Sequence, residues 1–187
     1  MNVLITSASR KVTLVEAFQS ALEREGGGDV VAVDASRESA ALYKADNYEI
    51  APYGLDDAFF DFILGLGREN DISLLVPTRD EELLFFAARR NELEEAGMTA
   101  MVSSQRTVEV CPDKYRFLEH CTENGFLVPE IYMGAKLEAV DTFPVFVRKR
   151  FGKGGAGAHQ VKTRRELESV LDQVDEPVVQ EHVDAPE

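Results

Sequence analysis

The chain has no tryptophan, only two cysteines and no long apolar run. Cys111 and Cys121 match no metal-ligand or redox spacing, which argues against a zinc site and against a thiol–disulfide pair. No segment approaches the ~20 consecutive apolar residues that a membrane-spanning helix requires. The N-terminus lacks the positively charged lead-in of a secretory signal. These absences predict a cytoplasmic chain with reduced thiols.

Basic residues are also scarce: 20 Lys and Arg stand against 34 Asp and Glu, for a net charge of -14. A nucleic-acid binder needs basic surface to neutralise phosphates, and an anionic membrane surface would repel this chain. The 187 residues are 44% hydrophobic, which is enough for one large domain or two small ones. The three histidines show no metal-ligand spacing, and they are His120, His159 and His182.

The first hundred residues alternate short apolar runs with helical patterns. Strands are predicted at 3–6, 29–34, 72–77 and 98–103, and helices follow the first three of these strands. The last of these helices is predicted over 80–96, with Leu84, Ala87 and Ala88 on its apolar side. Such alternation predicts an α/β fold with a Rossmann-like parallel sheet that is covered on both faces.

Ligands of open parallel sheets bind at the carboxyl ends of the strands. The candidate residues there are Ser7, Ser9, Arg10, Asp34, Thr78, Arg79 and Asp80. Asp34 stands where a dinucleotide fold places an acidic residue on a ribose, but the first turn reads S-A-S-R-K and has no glycine for close approach of a pyrophosphate. Three interpretations of Asp34 stay open: a dinucleotide contact, a cap on the strand end, and a contact to another substrate.

The pattern changes near Pro112, and we predict two domains, 1–111 and 112–187. A helix begins beside Pro112 and ends at Gly125. Strands are then predicted at 145–149 and 158–163, followed by a helix that Thr163 caps with Glu166 three residues on. A further apolar strand follows Pro177.

The segment "GKGGAG" at 152–157 spells G-x-G-x-x-G. In dinucleotide folds and in phosphate-binding P-loops such a loop runs directly into a helix. Here a strand precedes and a strand follows, which predicts a β-hairpin with a glycine-rich tip. Backbone N–H groups of such a tip can close over phosphates because no side chains obstruct them. A mobile hairpin with solvated basic residues is the alternative. The basic residues around it are Arg148, Lys149, Arg150 and Lys153.

Four segments, in order, resemble the ATP-grasp superfamily: "CPDKYRFLEHCTENGFLVP", "FPVFVRKRFGKGGAG", the helix after Thr163, and "VVQEHVDAPE". The first hundred residues resemble the preATP-grasp domain. Within it, "MNVLITSASRKVTLVEAF" and "LYKADNYEIAP" are most similar to carbamoyl-phosphate synthase large-subunit-like proteins. The resemblance implies a preATP-grasp domain followed by a partial α+β ATP-grasp subdomain.

The resemblance also implies a nucleotide site. By it, Lys114 and Arg148 contact phosphates, and the backbone of Glu181 and Val183 meets the adenine. Glu187 accepts hydrogen bonds from the ribose. The flexible loop over the phosphates comprises Gly152, Lys153, Gly154, Gly155 and Gly157.

The activity that the resemblance implies is ATP-dependent ligation. A carboxylate or bicarbonate is phosphorylated, and an amine or ammonia then attacks the acyl phosphate. Mg²⁺ is the expected second cofactor, with its ligands on strands that should follow Glu187, so no metal ligand and no catalytic residue is assigned here. We therefore expect the chain to be inactive alone, as a truncated chain or a split-gene product that a second half completes in cis or in trans. The acceptor substrate stays open.

Three competing functions are compatible with parts of the pattern. The first is a dinucleotide-binding oxidoreductase domain, and the second is a non-catalytic nucleotide-binding module that kept the fold. The third is a kinase, because a kinase flap is also a G-x-G-x-x-G hairpin. Kinases place valine two residues after the third glycine, however, and this chain has His159 there.

Overall fold

The computed structural model describes residues 1–152 and 157–183. The chain divides into two compact units, Met1–Val108 and Glu109–Glu187, and each is described here by itself. This division lies after residue 108, close to the boundary after residue 111 that the sequence predicts.

The first unit is built on a five-stranded sheet in the order β3-β2-β1-β4-β5, and every neighbouring pair is parallel. The predicted parallel sheet is confirmed. Its strands are β1 (Asn2–Thr6), β2 (Val30–Asp34), β3 (Asn47–Ile50), β4 (Ile72–Pro77) and β5 (Thr99–Ala100).

Side chains of the central strand β1 alternate between two apolar clusters, one on each face of the sheet. Leu4 belongs to one cluster, whereas Val3 and Ile5 belong to the other, and all three are fully buried. This alternation is what a strand buried on both faces requires, because successive side chains point to opposite faces.

Helices complete the two faces. The first-unit helices are α1 (Val12–Arg24), α2 (Asp57–Glu69), α3 (Asp80–Ala88) and α4 (Arg90–Glu95). Helix α1 buries Val15 and Leu22 in the cluster of Val3 and Ile5. Helix α2 contributes to the Leu4 cluster. The predicted cover on both faces is therefore confirmed.

Four details of the sequence prediction were wrong. Strand β3 was missed because it is an edge strand with mostly exposed side chains and no apolar run. The helix predicted over 80–96 is two helices that separate at Arg89. Leu84 is 43% exposed, because α3 turns Glu82, Phe86 and Ala87 inward instead. The strand predicted over 98–103 is shorter as well, since only Thr99–Ala100 pair with β4.

The second unit contains an antiparallel sheet in the order β6-β9-β7-β8. The helix α5 (Gln105–Val110), which Ser104 caps, spans the point of division. A 3₁₀ turn covers Gly134–Ala139. The other elements are α6 (Lys114–Glu123), β6 (Ile131–Tyr132), β7 (Val145–Lys149), β8 (His159–Val161), α7 (Arg164–Leu171) and β9 (Pro177–Glu181).

Strands β7 and β8 pair antiparallel, with Val145 opposite Val161 and Val147 opposite His159. The predicted hairpin on either side of the glycine segment is thus confirmed. The cluster that supports it includes Val145, Val147 and Leu167, and α7 contributes Leu167 to it. Thr163 caps α7 through the N–H of Glu166, as predicted.

Within the described residues, no helix has the length and apolar character needed to cross a membrane.

Candidate functional site

Strand β7 carries its basic side chains on different faces. Val145 and Val147 are buried in the core of the second unit, so the half-buried Phe146 and Arg148 lie on the opposite face. Lys149 is exposed. Among the residues that the structure describes, no acceptor lies within hydrogen-bond distance of the Arg148 Nε, although that atom is buried. A buried guanidinium nitrogen without an acceptor is costly unless a ligand supplies one.

Lys114 is the first residue of α6, and it contacts the end of β7. Its N–H donates to the carbonyl oxygen of Arg150 at 3.2 Å. Its Nζ donates to the same oxygen at 3.3 Å and to the carbonyl oxygen of Gly152 at 2.9 Å. The ammonium therefore lies beside Gly152, the first residue of the glycine segment, and its contact with phosphates stays a prediction.

Lys114 and Arg148 interact electrostatically. Burial lowers the pKa of Lys114, and the positive charge of Arg148 lowers it further, whereas Asp113 acts in the opposite direction. Burial also lowers the pKa of Arg148. Two partly desolvated cations on one side of the hairpin produce a local positive potential in a chain of net charge -14. Such a site favours an anion with several oxygens.

A buried ion pair joins the start of α6 to the end of β7. The Nε and Nη2 of Arg150 donate to the two carboxylate oxygens of Asp113 at 2.9 and 2.6 Å. Asp113 is 3% exposed and also caps α6 by accepting from the N–H groups of Tyr115 and Arg116. Its hydrogen bond with Arg150 is the largest cause that holds the pKa of Asp113 below its ordinary value. Sequence reasoning missed this pair and named Arg150 only as one of four basic residues around the hairpin.

The glycine segment begins and ends in conformations that suit glycine. Gly152 has a φ of +138° and Gly157 a φ of +73°, in the region that other residues rarely adopt. The predicted loop residues Lys153, Gly154 and Gly155 lie outside the described residues. Their contact with phosphates remains a prediction.

An aromatic pair lies on the same face of β7 as Arg148. The rings of Phe146 and His182 stack with centroids 5.1 Å apart and planes inclined by 11°. His182 Nε2 also lies 2.9 Å from Gln160 Nε2. Stacked aromatic rings of this kind offer an apolar surface beside the guanidinium of Arg148. The alternation in "VFVRK" could have indicated Phe146, but its partner His182 follows β9 and lies far away in the sequence.

The structure describes two of the three residues that are predicted to contact the adenine and the ribose. The N–H of Glu181 donates to the carbonyl oxygen of Glu130 at 2.8 Å, and its carboxylate accepts from the Glu130 N–H at 3.1 Å. Val183 is 62% exposed. Glu187 lies outside the described residues. The adenine contacts of Glu181 and Val183 and the ribose contact of Glu187 stay predictions.

The first unit has its own cavity of about 620 Å³ at the carboxyl ends of its parallel strands. It brings together the predicted residues Ser7, Ser9, Asp34 and Arg79. Arg10, Thr78 and Asp80 do not line it. Further lining residues that sequence reasoning did not select include Lys11, Tyr53, Glu81 and Glu82.

Two carboxylates organise the loops around this cavity. Glu82 is 2% exposed and accepts from the hydroxyl groups of Thr6 and Ser7 at 3.0 and 2.6 Å, and from the Thr78 N–H at 3.2 Å. The two oxygens of Asp34 each accept from a backbone N–H, one from Ser9 after β1 and one from Ser36 after β2. These bonds favour the interpretation of Asp34 as a cap on the strand ends over that of a ribose ligand.

In the part of the chain that the structure describes, no group of three or more His, Cys, Asp or Glu side chains is placed to hold a metal ion. The described residues offer two features: the cations Lys114 and Arg148, which favour an anion, and the cavity of the first unit, whose lining is polar and of mixed charge. They do not themselves offer a carboxylate-rich cation site.

A family model described as "PylC-like, N-terminal domain" matches residues 3–101. The comparison with curated proteins found no match.

Three solved structures share the fold across nearly the whole chain. N5-carboxyaminoimidazole ribonucleotide synthetase from Thermotoga maritima is 21% identical over 98% of this chain, with a TM-score of 0.66. L-amino acid ligase from Bacillus licheniformis is 19% identical over 99%, with a TM-score of 0.67. The biotin carboxylase domain of 2-oxoglutarate carboxylase from Hydrogenobacter thermophilus, solved with MgADP and bicarbonate, is 20% identical over 98%, with a TM-score of 0.65.

This chain covers 46%, 45% and 44% of those three structures, respectively. At these identities the likeness shows the fold, which is that of the N-terminal part of ATP-grasp enzymes. The predicted superfamily and fold class are confirmed, and the kinase alternative is excluded as a fold. The finer likeness to carbamoyl-phosphate synthase stays a prediction. Through the match over residues 3–101, the chain belongs to the PylC-like N-terminal domain family.

Proposed function

We propose that this chain is the nucleotide-binding front half of an ATP-dependent ligase that joins a carboxylate or bicarbonate to an amine or ammonia. In this proposal the triphosphate of ATP binds between Lys114 and Arg148, beneath the glycine hairpin. The acceptor carboxylate attacks the γ-phosphorus and ADP leaves. The amine then attacks the carbonyl carbon of the acyl phosphate, and phosphate leaves.

One observation carries the proposal most directly: the buried Nε of Arg148, which has no acceptor among the described residues. It lies on the strand that leads into the glycine segment, and its charge already lowers the pKa of Lys114. A polyphosphate would supply the missing acceptor and would offset the repulsion between the two cations. Charge-assisted hydrogen bonds of this kind are stronger than neutral ones.

The residues of this chain would act by positioning and by neutralising charge. Phosphoryl transfer needs little covalent chemistry from the protein, so cations that hold the transferred group in line supply much of the catalysis. The Nζ of Lys114 donates to the carbonyl oxygen of Gly152, the first glycine of the loop. The charge of Arg148 acts on the same ammonium, so in this proposal both cations contact one phosphate chain.

The nucleotide base has a separate candidate contact in the stacked pair of Phe146 and His182. Because Phe146 and Arg148 share a face two residues apart, a base at Phe146 and phosphates at Arg148 lie about 7 Å apart along the strand. That separation suits a nucleoside whose sugar lies between them.

The cavity of the first unit is a second candidate ligand site. Open parallel sheets bind ligands at the carboxyl ends of their strands, and this cavity lies there. Its lining includes the cationic side chains of Lys11 and Arg79 and the acidic side chains of Asp34, Glu81 and Glu82. A small polar ligand that carries charges of both signs fits this lining.

Mg²⁺ belongs to the proposed reaction because it neutralises the developing charge on the transferred phosphate. The described residues do not fit it, since they provide no cluster of carboxylates placed to hold a metal. We therefore derive no step through the metal from this chain. One solved structure with this fold was determined with MgADP and bicarbonate, which supports the same pairing of nucleotide and acceptor here.

The proposal is tested by calorimetric titration of the 187-residue chain with ATP and, separately, with NADH. We expect saturable binding of ATP and none of NADH, because the first turn of the parallel sheet carries Ser7, Ser9 and Lys11 where a pyrophosphate would need glycine. Binding of NADH, or the absence of ATP binding, would refute the proposed function.

A further inference from the structure

The ion pair between Asp113 and Arg150 lies beside the proposed phosphate site. The Nε and Nη2 of Arg150 donate to the two oxygens of the Asp113 carboxylate, and its Nη1 lies 3.7 Å from a carboxylate oxygen of Glu176. The backbone of Arg150 is fixed as well, because its N–H donates to the Glu176 carbonyl at 3.0 Å and its carbonyl accepts from Lys114. Because two carboxylates already neutralise the charge of Arg150, we assign it no contact with phosphate.

The same pair determines where Lys114 lies. Asp113 immediately precedes Lys114 and caps α6, so its carboxylate fixes the first turn from which the Lys114 side chain extends. Arg150 and Gly152 supply the two carbonyl oxygens that hold the Lys114 ammonium. Asp113 thus fixes the backbone from which the Lys114 side chain extends, and the carbonyl of Arg150 helps to hold the Lys114 ammonium.

The pair also offsets a repulsion. After burial, the positive charge of Arg148 is the next cause that lowers the pKa of Lys114. The carboxylate of Asp113 raises the pKa of Lys114 and so favours its charged form. Two cations can remain close only where neighbouring groups fix them and compensate their charge.

We propose that Asp113 and Arg150 are positioning residues for polyphosphate binding: they hold Lys114 and the first carbonyls of the glycine segment in the geometry that a phosphate chain requires. The inference rests on the proposed function and assigns to these residues no contact with the ligand.

Removing the charge of Asp113 gives a test, because a positioning role and simple electrostatics predict opposite changes in the affinity for an anion. Asp113→Asn removes a negative charge near a bound anion, so electrostatics alone predicts tighter binding. Asparagine is also a good helix cap, so α6 keeps its capping oxygen. Positioning predicts weaker binding, because the bidentate pair is lost. We expect a loss of affinity of at least about tenfold for inorganic tripolyphosphate, since small displacements of a positioned group cost that much or more.

A second variant changes the other partner of the ion pair, Arg150. Arg150→Lys keeps the positive charge but cannot form the two-pronged contact with the Asp113 carboxylate. Positioning predicts weaker binding of tripolyphosphate for this variant too, whereas electrostatics predicts no change. The matched control is Arg164→Met, which removes an arginine of the same unit that donates to the carbonyls of Leu137, Glu138 and Val140. It should change the affinity for tripolyphosphate less than about twofold, because the contacts of Arg164 go to these carbonyls and not to Lys114 or Arg148.

All titrations use the full chain at one ionic strength, after thermal melts show that each variant is folded at the temperature of the measurement. The variant Lys114→Met completes a double-mutant cycle. If Asp113 acts through Lys114, then Asp113→Asn should cause no further loss in the Lys114→Met background. Unchanged or tighter binding by Asp113→Asn, unchanged binding by Arg150→Lys, or additive losses in the cycle would overturn the inference.

These outcomes separate the inference from the proposed function. If the wild-type chain binds neither ATP nor tripolyphosphate, the proposed function fails and the inference fails with it. If the wild type binds both and Lys114→Met weakens binding, but Asp113→Asn and Arg150→Lys do not, only the positioning role fails.

Discussion

Asp113 and Arg150, which are 37 residues apart in the sequence, form a bidentate ion pair with nitrogen–oxygen distances of 2.9 and 2.6 Å. The carboxylate is nearly inaccessible to solvent, and it caps the helix that begins with Lys114. A single buried group therefore connects helix α6 to the strand that leads into the glycine segment.

This pair predicts a dependence of stability on pH. The pKa of Asp113 is lowered in the folded chain, chiefly by its hydrogen bond with Arg150, so its contribution to stability is present above the ordinary pKa of 3.8. That contribution is lost as the pH falls below 3.8 towards the folded pKa. Urea denaturation should show the wild type more stable than Asp113→Asn at neutral pH.

The difference between the two proteins should stay constant at mildly acidic pH and shrink only once the carboxyl group is protonated. A difference that shrinks already between pH 7 and pH 5 would assign the effect to another group.

Arg148→Met is expected to weaken ATP binding by roughly 1.5–3 kcal/mol, the scale of a hydrogen bond to a charged group. Methionine keeps much of the side-chain volume but removes the guanidinium. The matched control is Lys149→Met, which removes a cation from the adjacent, exposed position of the same strand. Calorimetry should show a change of less than about 0.5 kcal/mol for the control, as is usual for surface substitutions. Equal losses for the two variants would remove Arg148 from the site.

Glu82→Gln should destabilise the first unit by about 1–3 kcal/mol, because an amide nitrogen would face donors that now point at a carboxylate oxygen. Those donors include the hydroxyl groups of Thr6 and Ser7. The control is Glu81→Gln at the exposed neighbouring position. Chemical denaturation followed by circular dichroism measures both, and equal stability of the two variants would contradict the assigned role of Glu82.

Leu167→Ala should cost about 2–5 kcal/mol, the range for a leucine removed from a packed core. Leu167 is fully buried in the cluster that supports the hairpin of β7 and β8. Leu127→Ala is the control, since Leu127 is fully exposed and its truncation should change stability little. A similar cost for both would mean that the cluster does not hold the hairpin.

The sequence predicted the fold wherever an element buries a strong apolar pattern. Strands at 145–149 and 72–77 were found because their side chains meet a core. Strand β3 was missed because it is held at the sheet edge by backbone pairing with β2 while its side chains face solvent. Leu84 was assigned inward because leucine is apolar, but the geometry of α3 gives the interior to Phe86.

The candidate site was predictable in part for a similar reason. The glycine segment and its flanking strands are local features, so the hairpin could be deduced from their order. The contacts of Arg150 with Asp113 and of Phe146 with His182 join residues far apart in the chain. Local patterns do not contain such pairings, so Arg150 was named among the basic residues around the hairpin without its acidic partner.

A residue-resolved ¹H–¹⁵N NMR titration with ATP tests most directly whether the nucleotide binds beside the glycine hairpin. If it does, ATP shifts the backbone amide signals of Lys114, Arg148, Gly152 and Val183, together with the side-chain signals of Arg148. Shifts confined to Ser7, Ser9 and Asp34 in the first unit, with the amides of Lys114 and Arg148 unchanged, would contradict it.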